Sequence, residues 1–566
     1  MIAAASIFVA CNKDKDNSSE DPSFSGTSLS DLNISQQFSW SSSIKGNFTV
    51  IVDAPSNMHV ENQIVELQNE TGNTIQASTI VDGQAYFNIA VPQQYEKLFV
   101  YYPNTQEKVA LNTSKSSTTL TLKSVDLDSG LNSELFITEK SAMRKSTSAG
   151  SNLVVDGDFE NATLLSDNSG YTALRQIGAW YAKGNTGVIS TMSGSKVFTS
   201  TSTLQNGKIL QSFSVNGGQF FDFKYEYGGN AGFYVLFFDA AQRYVGHSRV
   251  SVNAGQASAY FLAPEKVSYI QLYGFAGNNE WLDNVTLTEV QEADSDNDGV
   301  SDRKDNYPND PLRAYASYFP TVGKQILAFE DLWPHNGDND FNDVVLANHI
   351  EFSKNSNYDL VDARIKVTIN ALGAGLANGV GLVLLDESKT PINTEVISSI
   401  TFRNGSTVGQ LDPDVENGII ITNDLFSSVK PYYTNTGSGP SAAPQTLELV
   451  VSFKPSAGDL TFTPDFYLFR TKDRGKEIHL PGFTGTSAAN TAYYGTGHDV
   501  NGTYRNSKGL PWAIEVIYPN SLHFYHPLEK VEVTEAFPQF RAWIQSNGTN
   551  YQGWMLYPDF SKVFKQ

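Results

Sequence analysis

The chain has 566 residues, of which 40% are apolar and 12% aromatic. At roughly 100–200 residues per domain this length predicts about three to five domains, and the aromatic content argues against a disordered chain and favours β-rich packing. Sixty acidic residues against 39 basic ones give a formal charge of −21. That charge argues against binding to nucleic acid or to anionic lipid, and it favours attraction of calcium.

The single cysteine, Cys11, follows a short apolar segment. The stretch MIAAASIFVAC resembles a bacterial lipoprotein signal, in which the cysteine is lipidated, and the following NKDKD is similar to the surface-export signal of Bacteroidetes lipoproteins. Residues 12–36 are rich in Ser, Asp and Asn, so we assign 1–36 to the signal and a flexible stalk. No later apolar run reaches the about 20 residues that span a bilayer. We expect an outer-membrane, cell-surface protein that meets the membrane only through its lipid anchor.

Residues 37–125 contain short apolar or alternating segments separated by turn-rich gaps. These segments are GNFTVIVDA, AYFNIAV, KLFVYY and TTLTLKSV. The pattern predicts a small, immunoglobulin-like antiparallel β-sandwich. The polar residues 126–150 predict a linker.

Residues 151–290 open with NLVVDGDFE and close with YIQLYGFAGNNEWLDNVTLTEV. These two ends resemble the terminal strands of jelly-roll carbohydrate-binding modules, chiefly through GDFE and LDNV. The resemblance implies a galactose-binding-like sandwich with a structural calcium between the terminal strands. The matching carboxylates are those of Asp158, Glu160 and Asp283.

Sugar recognition by such a domain requires a flat aromatic ring, because the apolar face of a pyranose stacks on it. The candidates are Trp180, Tyr181 and Trp281. Jelly rolls also bury many aromatic side chains, so a core position is the alternative for each of the three.

Residues 291–315 contain the acidic stretch DSDNDGVSDRKDNYPNDP. Its acids match positions 1, 3, 5, 9 and 12 of an EF-hand-type loop, with Gly299 at position 6 for the sharp turn. The predicted ligands are Asp294, Asp296, Asp298, the carbonyl of Val300, Asp302 and Asp305. Because NYPNDP follows instead of a helix, the stretch resembles a thrombospondin type 3 calcium repeat, which implies a linker that calcium stiffens. An acidic spacer is the alternative.

Residues 316–566 begin with an apolar strand, the acidic loop NGDNDFND and a second apolar strand. The oxygens of this loop and of the strand end before it are candidate ligands for one hard cation. They belong to Glu330, Asp331, Asp338, Asp340, Asn342 and Asp343. The core FEDLWP…GDNDFND resembles the LruC-domain family of bacterial surface proteins, which implies a β-rich domain with a calcium-binding acidic loop. We also expect one helix at 534–546, capped by Thr534, with its aromatic residues in the core.

Catalytic signatures such as G-x-S-x-G, H-E-x-x-H and the P-loop are absent from the sequence, so we expect a protein that is not an enzyme. Two distant carboxylates of a glycoside hydrolase are the remaining catalytic alternative. The predicted fold class is mostly β: a multidomain chain of antiparallel sandwiches with few short helices.

Two functions fit these features. In the first, a calcium-binding, lipid-anchored surface protein binds glycans, such as a polysaccharide, through its jelly roll. In the second, an adhesin or structural surface protein binds proteins of a host or neighbouring cell and has no glycan site. Calcium is the expected cofactor in both.

Overall fold

The computed structural model describes residues 28–565, with gaps at 73, 94–96, 114, 125–143, 146–149, 163–173, 184–186, 204–205, 250–255, 291–292, 303, 387, 403–409, 428, 430–433, 459, 461 and 520–523. Cys11, the first part of the predicted stalk and most of the predicted 126–150 linker lie outside the described residues.

Seven strands lie between residues 41 and 121 of the described chain. They are β1 (Ser41–Asp53), β2 (Ile64–Gln68), β3 (Thr74–Thr79), β4 (Gln84–Pro92), β5 (Phe99–Tyr102), β6 (Glu107–Ala110) and β7 (Ser117–Thr121). The central strands β1 and β4 alternate between buried and exposed residues, as a strand with one face on a core must. Their buried face packs on the sheet β3-β2-β5-β6.

The next twelve described strands lie between residues 144 and 290, and we call this part the jelly-roll region after its predicted fold. They are β8 (Arg144–Lys145), β9 (Leu174–Ile177), β10 (Trp180–Lys183), β11 (Gly187–Met192), β12 (Ser195–Ser200), β13 (Gly207–Ser214), β14 (Phe220–Gly228), β15 (Gly232–Phe238), β16 (Tyr244–Arg249), β17 (Gln256–Leu262), β18 (Tyr269–Ala276) and β19 (Trp281–Val290). One sheet has the order β16-β15-β18-β13-β10-β9 with β8 beside β13, and the other has the order β11-β12-β19-β14-β17.

Twelve further strands and two helices follow in the described C-terminal part. The strands are β20 (Tyr315–Phe319), β21 (Lys324–Phe329), β22 (Val344–Lys354), β23 (Leu360–Ala371), β24 (Asn378–Leu385), β25 (Ile397–Phe402), β26 (Gln410–Leu411), β27 (Gly418–Thr422), β28 (Gln445–Phe453), β29 (Thr463–Arg470), β30 (Asp473–Ile478) and β31 (Ala513–Tyr518). The helices are α1 (Val533–Ala536) and α2 (Pro538–Gln545). Short 3-10 turns lie at Leu29–Asp31, Thr394–Val396, Leu425–Ser427, Pro455–Ala457, Thr491–Tyr493 and Trp554–Leu556. The predicted fold class, mostly β with antiparallel sheets and few short helices, is confirmed.

The jelly-roll sheet that contains β13, β15 and β18 is buried on both faces. On β15, Val235 and Phe237 pack into the jelly-roll core, whereas Leu236 and Phe238 pack into the core of the first sandwich. This double burial is the physical reason why the β15 sequence is apolar throughout, since neither face of the strand meets water. The first sandwich and the jelly roll therefore share one continuous apolar interface.

The large C-terminal sheet also extends into the first sandwich. Its strand order is β25-β28-β23-β22-β21-β31-β1-β4, and the start of β1 pairs in parallel with β31 at Ser41–Glu515 and Ser42–Val516. One face of this sheet packs on the five-stranded sheet β26-β27-β24-β29-β30, and the other face packs on α2. A strand near the N-terminus thus completes the C-terminal domain.

The segment before β1 differs from the predicted flexible stalk, which extended to residue 36. Leu29 and Ile34 are buried in the same cluster as Phe38, Trp40 and α2. The Trp40 indole N–H donates to the Gly509 carbonyl oxygen at 3.1 Å. A few apolar residues in a polar stretch were enough to anchor it, and the average composition of the stretch concealed them.

The predicted single helix at 534–546 is wrong in its extent. Phe537 interrupts it with an extended backbone, and Pro538 begins α2, because proline lacks the N–H that a continuous helix would need. Glu532, not Thr534, is the N-cap residue of α1. The side chains of Phe537, Phe540, Trp543 and Ile544 are buried in the core, as predicted.

Candidate metal centres

The acidic loop 330–343 connects two paired strands and is held at both ends. Phe329 at the end of β21 is directly opposite Val344 at the start of β22, so Glu330 and Asp343 leave the sheet side by side. The Asp331 N–H donates to Asp343 Oδ2 at 2.8 Å, and the Phe341 N–H donates to Glu330 Oε1 at 2.8 Å. These bonds fold the loop back over the strand end, where Glu330 and Asp340 are buried.

Three predicted ligands converge in this loop. Glu330, Asp338 and Asp340 each place a carboxylate oxygen within 4.8 Å of the other two. Glu330 and Asp340 are buried, each with 1% of its surface exposed, whereas Asp338 is exposed. The arrangement is a deep carboxylate pair with one acid at the entrance.

The donor atoms of this cluster fit a cation. Glu330 Oε2 is buried and has no hydrogen-bond partner among the described residues, although burying such an oxygen without a partner is costly. The Gly337 backbone lies directly against this oxygen, so a Cβ atom there would displace the Glu330 carboxylate. Carboxylate oxygens are the ligands that calcium prefers, and the orphaned oxygen faces such a set.

Electrostatics gives the same answer. Burial, followed by the charges of Asp343, Asp340 and Asp338, raises the pKa of Glu330 well above its usual range. Burial likewise raises the pKa of Asp340 to about 7 and that of Asp343 to about 8. Like charges in a desolvated place disfavour ionisation, so either protons or a cation must neutralise this cluster.

The other predicted ligands of the loop have different surroundings. Asp331 Oδ2 accepts from the Asn378 side-chain amide at 2.7 Å and lies 3.6 Å from Arg470 Nη1, so a cation from the protein already faces it. Asn342 donates from its amide to Asp340 Oδ2 at 2.8 Å and to the Pro527 carbonyl oxygen at 3.2 Å. Asp343 adds negative charge beside Glu330. Asp331 and Asn342 thus help to orient the loop, and the Oδ1 atom of each is buried without a hydrogen-bond partner among the described residues.

Sequence reasoning missed one acid of this site. The Glu529 Oε2 atom is buried without a hydrogen-bond partner among the described residues. The charge of Glu529 raises the pKa of Asp340, although burial and the charge of Asp338 raise it more. The neighbouring Lys530 N–H donates to Asp340 Oδ2 at 2.8 Å, across 190 residues of sequence. Nothing in PLEKVEV distinguishes Glu529 from an ordinary surface acid.

The linker acids form a second cluster. Asp294, Asp296 and Asp298 each place a carboxylate oxygen within 4.8 Å of the other two. The Gly299 N–H donates to Asp294 Oδ2 at 3.1 Å, and Gly299 has a φ of +96°, which favours glycine and permits the turn. The oxygens Asp296 Oδ2 and Asp298 Oδ2 are buried and have no partner among the described residues.

Other predicted ligands of the linker take distinct positions. Asp305 is buried, its Oδ2 has no partner among the described residues, and its pKa is raised by burial and then by the charges of Asp298 and Asp296. The Val300 side chain is buried. Asp302 instead accepts at both oxygens from Ser295, at 2.7 Å from its N–H and 2.8 Å from its hydroxyl.

The jelly-roll acids are neighbours with one serine between them. The Ser195 hydroxyl donates to Glu160 Oε1 at 3.1 Å and to Asp283 Oδ2 at 3.2 Å. Asp283 is buried, which raises its pKa, and the charges of Glu226 and Asp158 raise it further. Calcium at this position stays a prediction.

The predicted sugar-stacking aromatics do not form one exposed surface. Trp180 is completely buried and donates its indole N–H to the Asp156 carbonyl oxygen at 2.8 Å, so its assignment as a ligand-binding residue is wrong. Tyr181 packs against the core of the first sandwich. Trp281 is half-buried and lies against Gly228, its direct neighbour on β14. The packing of the two sheets decides which face of β10 is buried, and it places Trp180 in the core.

Residues 359–555 match the model of a domain of unknown function, DUF4842. No curated protein matches the chain. A crystal structure of a Bacteroides ovatus protein, provisionally named a lipoprotein, is 18% identical, with a TM-score of 0.33, and the match covers 61% of this chain and 98% of that one. Salmonella alpha-2-macroglobulin reacted with methylamine is 9% identical, with a TM-score of 0.09, over 76% of this chain and 39% of that one.

The DUF4842 segment begins after the acidic loop but contains the residues that hold it. Asn378, Arg470, Glu529 and Lys530 lie inside 359–555, whereas Glu330, Asp338 and Asp340 precede it. The resemblance to LruC domains stays a prediction. No helix in the described ranges is both long and apolar enough to cross a membrane.

Proposed function

We propose that this chain is a calcium-binding, lipid-anchored cell-surface protein whose folded body is a rigid scaffold and not a catalyst. The observation that carries the proposal is Glu330, a buried carboxylate whose Oε2 has no partner among the described residues and which faces Asp338 and Asp340. A divalent cation would neutralise these acids and supply the missing partner.

Calcium suits these donors better than other common metals. Both clusters offer carboxylate oxygens alone, whereas zinc prefers histidine and cysteine. Magnesium demands a near-ideal octahedron and keeps much of its water, whereas calcium accepts about six to eight oxygens in flexible geometry. A loop with several acids at different depths matches the second requirement.

Calcium in the loop would join the acids of residues 330–340 and face Glu529 from the C-terminal segment, and calcium in the linker would stiffen the linker. In the loop, Glu330, Asp338 and Asp340 would hold it, with Glu529 adding charge from the C-terminal segment. In the linker, Asp294, Asp296 and Asp298 would hold it between the jelly roll and the C-terminal domain. The ion would thus stiffen the body that the lipid anchor displays.

The lipid anchor and the outer-membrane surface location are part of the proposal on sequence grounds. Cys11 follows a short apolar segment and precedes an acidic tail, which resembles a lipoprotein signal. Glycan binding by the jelly roll would depend on Trp281, because Trp180 is buried and Tyr181 packs against the first sandwich.

The test is calcium titration of the full folded chain by calorimetry, together with melting curves in calcium, in magnesium and in chelator. We expect calcium to raise the melting temperature more than magnesium does. The double variant Asp338→Asn/Asp340→Asn should lose one binding event, whereas the control Glu416→Gln, an exposed acid of the same domain, should bind as the parent does. Equal melting with calcium and chelator, and no heat of binding, would refute the proposal.

A further inference from the structure

A large open cleft lies where four parts of the chain meet. Its volume is about 1290 Å³, and its walls come from the first sandwich, the jelly roll, the linker and the C-terminal sheet. Typical small-molecule pockets measure about 300–1,000 Å³. The cleft therefore has room for an extended ligand.

Aromatic rings line one wall of the cleft. Tyr315 and Tyr358 stack in parallel, with ring centroids 4.3 Å apart and an interplanar angle of 5°. Tyr318 stacks on His349 with centroids 5.6 Å apart. Tyr358 is 43% exposed and Tyr318 is 40% exposed, which leaves flat ring surface open to the cleft.

A tight turn holds Tyr358 in place. Tyr358 has a φ of 69°, an uncommon value for a bulky residue. The Asn355 side chain accepts from the N–H groups of Asn357 and Asp359, each at 2.9 Å, and fixes the tip between β22 and β23. This turn fixes the position of the Tyr358 ring at the cleft wall.

Two lysines of the cleft are paired with acids of the protein. Lys45 pairs with the buried Glu515, and Lys304 lies 2.9 Å from Glu265. Glu66 accepts from Gln68 at 2.9 Å and from Thr74 at 2.7 Å. Asn88 adds an exposed amide to the wall. Paired charges beside amides and open rings favour a neutral, hydroxyl-rich ligand over an ionic one.

We propose that this cleft binds a neutral oligosaccharide, with sugar rings stacked on Tyr358 and Tyr318. The apolar face of a pyranose lies on an aromatic ring while its hydroxyls bond polar neighbours, and the cleft offers both. The site is distinct from the jelly-roll position of Trp281, and it adjoins the linker calcium centre, because Lys304 and Asn306 on either side of Asp305 line the cleft.

The test is calorimetric titration of the full chain, in saturating calcium, with neutral oligosaccharides: maltohexaose, cellohexaose, xylohexaose and mannohexaose. We expect at least one to bind. Tyr358→Ala should raise the dissociation constant about tenfold or more, because a stacking contact is lost. A tenfold change corresponds to about 1.4 kcal/mol of binding free energy. Tyr358→Phe should keep most of it, because the ring remains.

Three further variants test whether the cleft is the binding site. Tyr318→Ala should also weaken binding, and it gives a second reading if Tyr358→Ala misfolds by circular dichroism. Tyr86→Ala removes a 54% exposed ring outside the cleft and should bind as the parent does. Loss of binding in Trp281→Ala with normal binding in Tyr358→Ala and Tyr318→Ala would overturn the cleft as the site. Absence of binding to the whole neutral panel would overturn the ligand class.

Discussion

Gly337 lies directly against the carboxylate of Glu330: a Cβ atom at position 337 would be 1.5 Å from Glu330 Oε2. A side chain at residue 337 would displace the Glu330 carboxylate from its present position. This contact therefore helps to set the depth of that carboxylate in the cluster.

Gly337→Ala should therefore damage the loop. We expect a loss of about 1–3 kcal/mol in the free energy of unfolding, as for an overpacked core position, and weaker calcium binding, both measured on the purified chain. In a Glu330→Ala background the same substitution should cost much less, because the clash partner is gone. Additive effects of the two substitutions would contradict the contact.

Glu529→Gln tests the acid that joins the cluster from the C-terminal segment. Removal of its charge should weaken calcium binding, because less negative charge faces the ion, while the fold stays intact. Calorimetry in low salt measures the change. The control is Glu535→Gln, whose carboxylate is 56% exposed and pairs with Lys562; similar affinities of the two variants would exclude Glu529 from the site.

The linker acids predict protease sensitivity. Asp296→Ala with Asp298→Ala should speed cleavage within 290–315 when calcium is present, because a loop that has lost two ligands no longer holds the ion and opens more often. The exposed neighbour Asn309 provides the control Asn309→Ala. Identical cleavage rates of the parent and the double variant, in calcium and in chelator, would contradict a calcium role for this linker.

The buried His479 predicts a loss of stability at alkaline pH. Its ring lies 2.8 Å from Asp465 Oδ2 and 3.1 Å from Glu477 Oε2. Burial opposes its charge, but these acids prevail and raise its pKa from 6.5 to about 9. A raised histidine pKa means that the stabilisation is complete below pH 6.5 and is lost as the pH rises through 9, at about 1.4 kcal/mol per pKa unit.

Denaturant unfolding at several pH values from 6.5 to 9, in saturating calcium, measures how the free energy of unfolding falls with pH. His479→Gln should remove this loss of stability at alkaline pH, because the side chain of glutamine does not titrate. Burial opposes the charge of Glu477, but its bonds from His479 and Thr486 lower its pKa from 4.5 to about 2. Its contribution is therefore present above pH 4.5 and is lost toward pH 2. An unchanged loss of stability at alkaline pH in His479→Gln would contradict the assignment.

Trp40→Ala tests the anchoring of the N-terminal segment. Trp40 is buried against Phe38 and Trp543, with ring centroids 4.8 Å and 6.2 Å away. We expect a loss of about 3–5 kcal/mol in the free energy of unfolding of the C-terminal domain, as for other buried tryptophans. Ser30→Ala, at an exposed position of the same segment, should change little. A negligible loss in Trp40→Ala would show that this segment is a flexible stalk and is not anchored.

The sequence alone predicted the mostly β class and both carboxylate clusters. The reason is physical: Asp294, Asp296 and Asp298, like Asp338 and Asp340, lie within one short loop, and local backbone geometry decides which oxygens converge. Strand alternation and turn residues are equally local signals, so they survive without knowledge of the fold.

Only the tertiary structure decided which distant residues meet. Glu529 reaches the loop, β1 pairs with β31 and Trp180 turns into the jelly-roll core through contacts between segments far apart in the chain. Leu29 and Ile34 are anchored by a helix more than 500 residues away in sequence. Burial of such residues depends on which surfaces cover them, and no pattern within one segment specifies which distant segment packs on it.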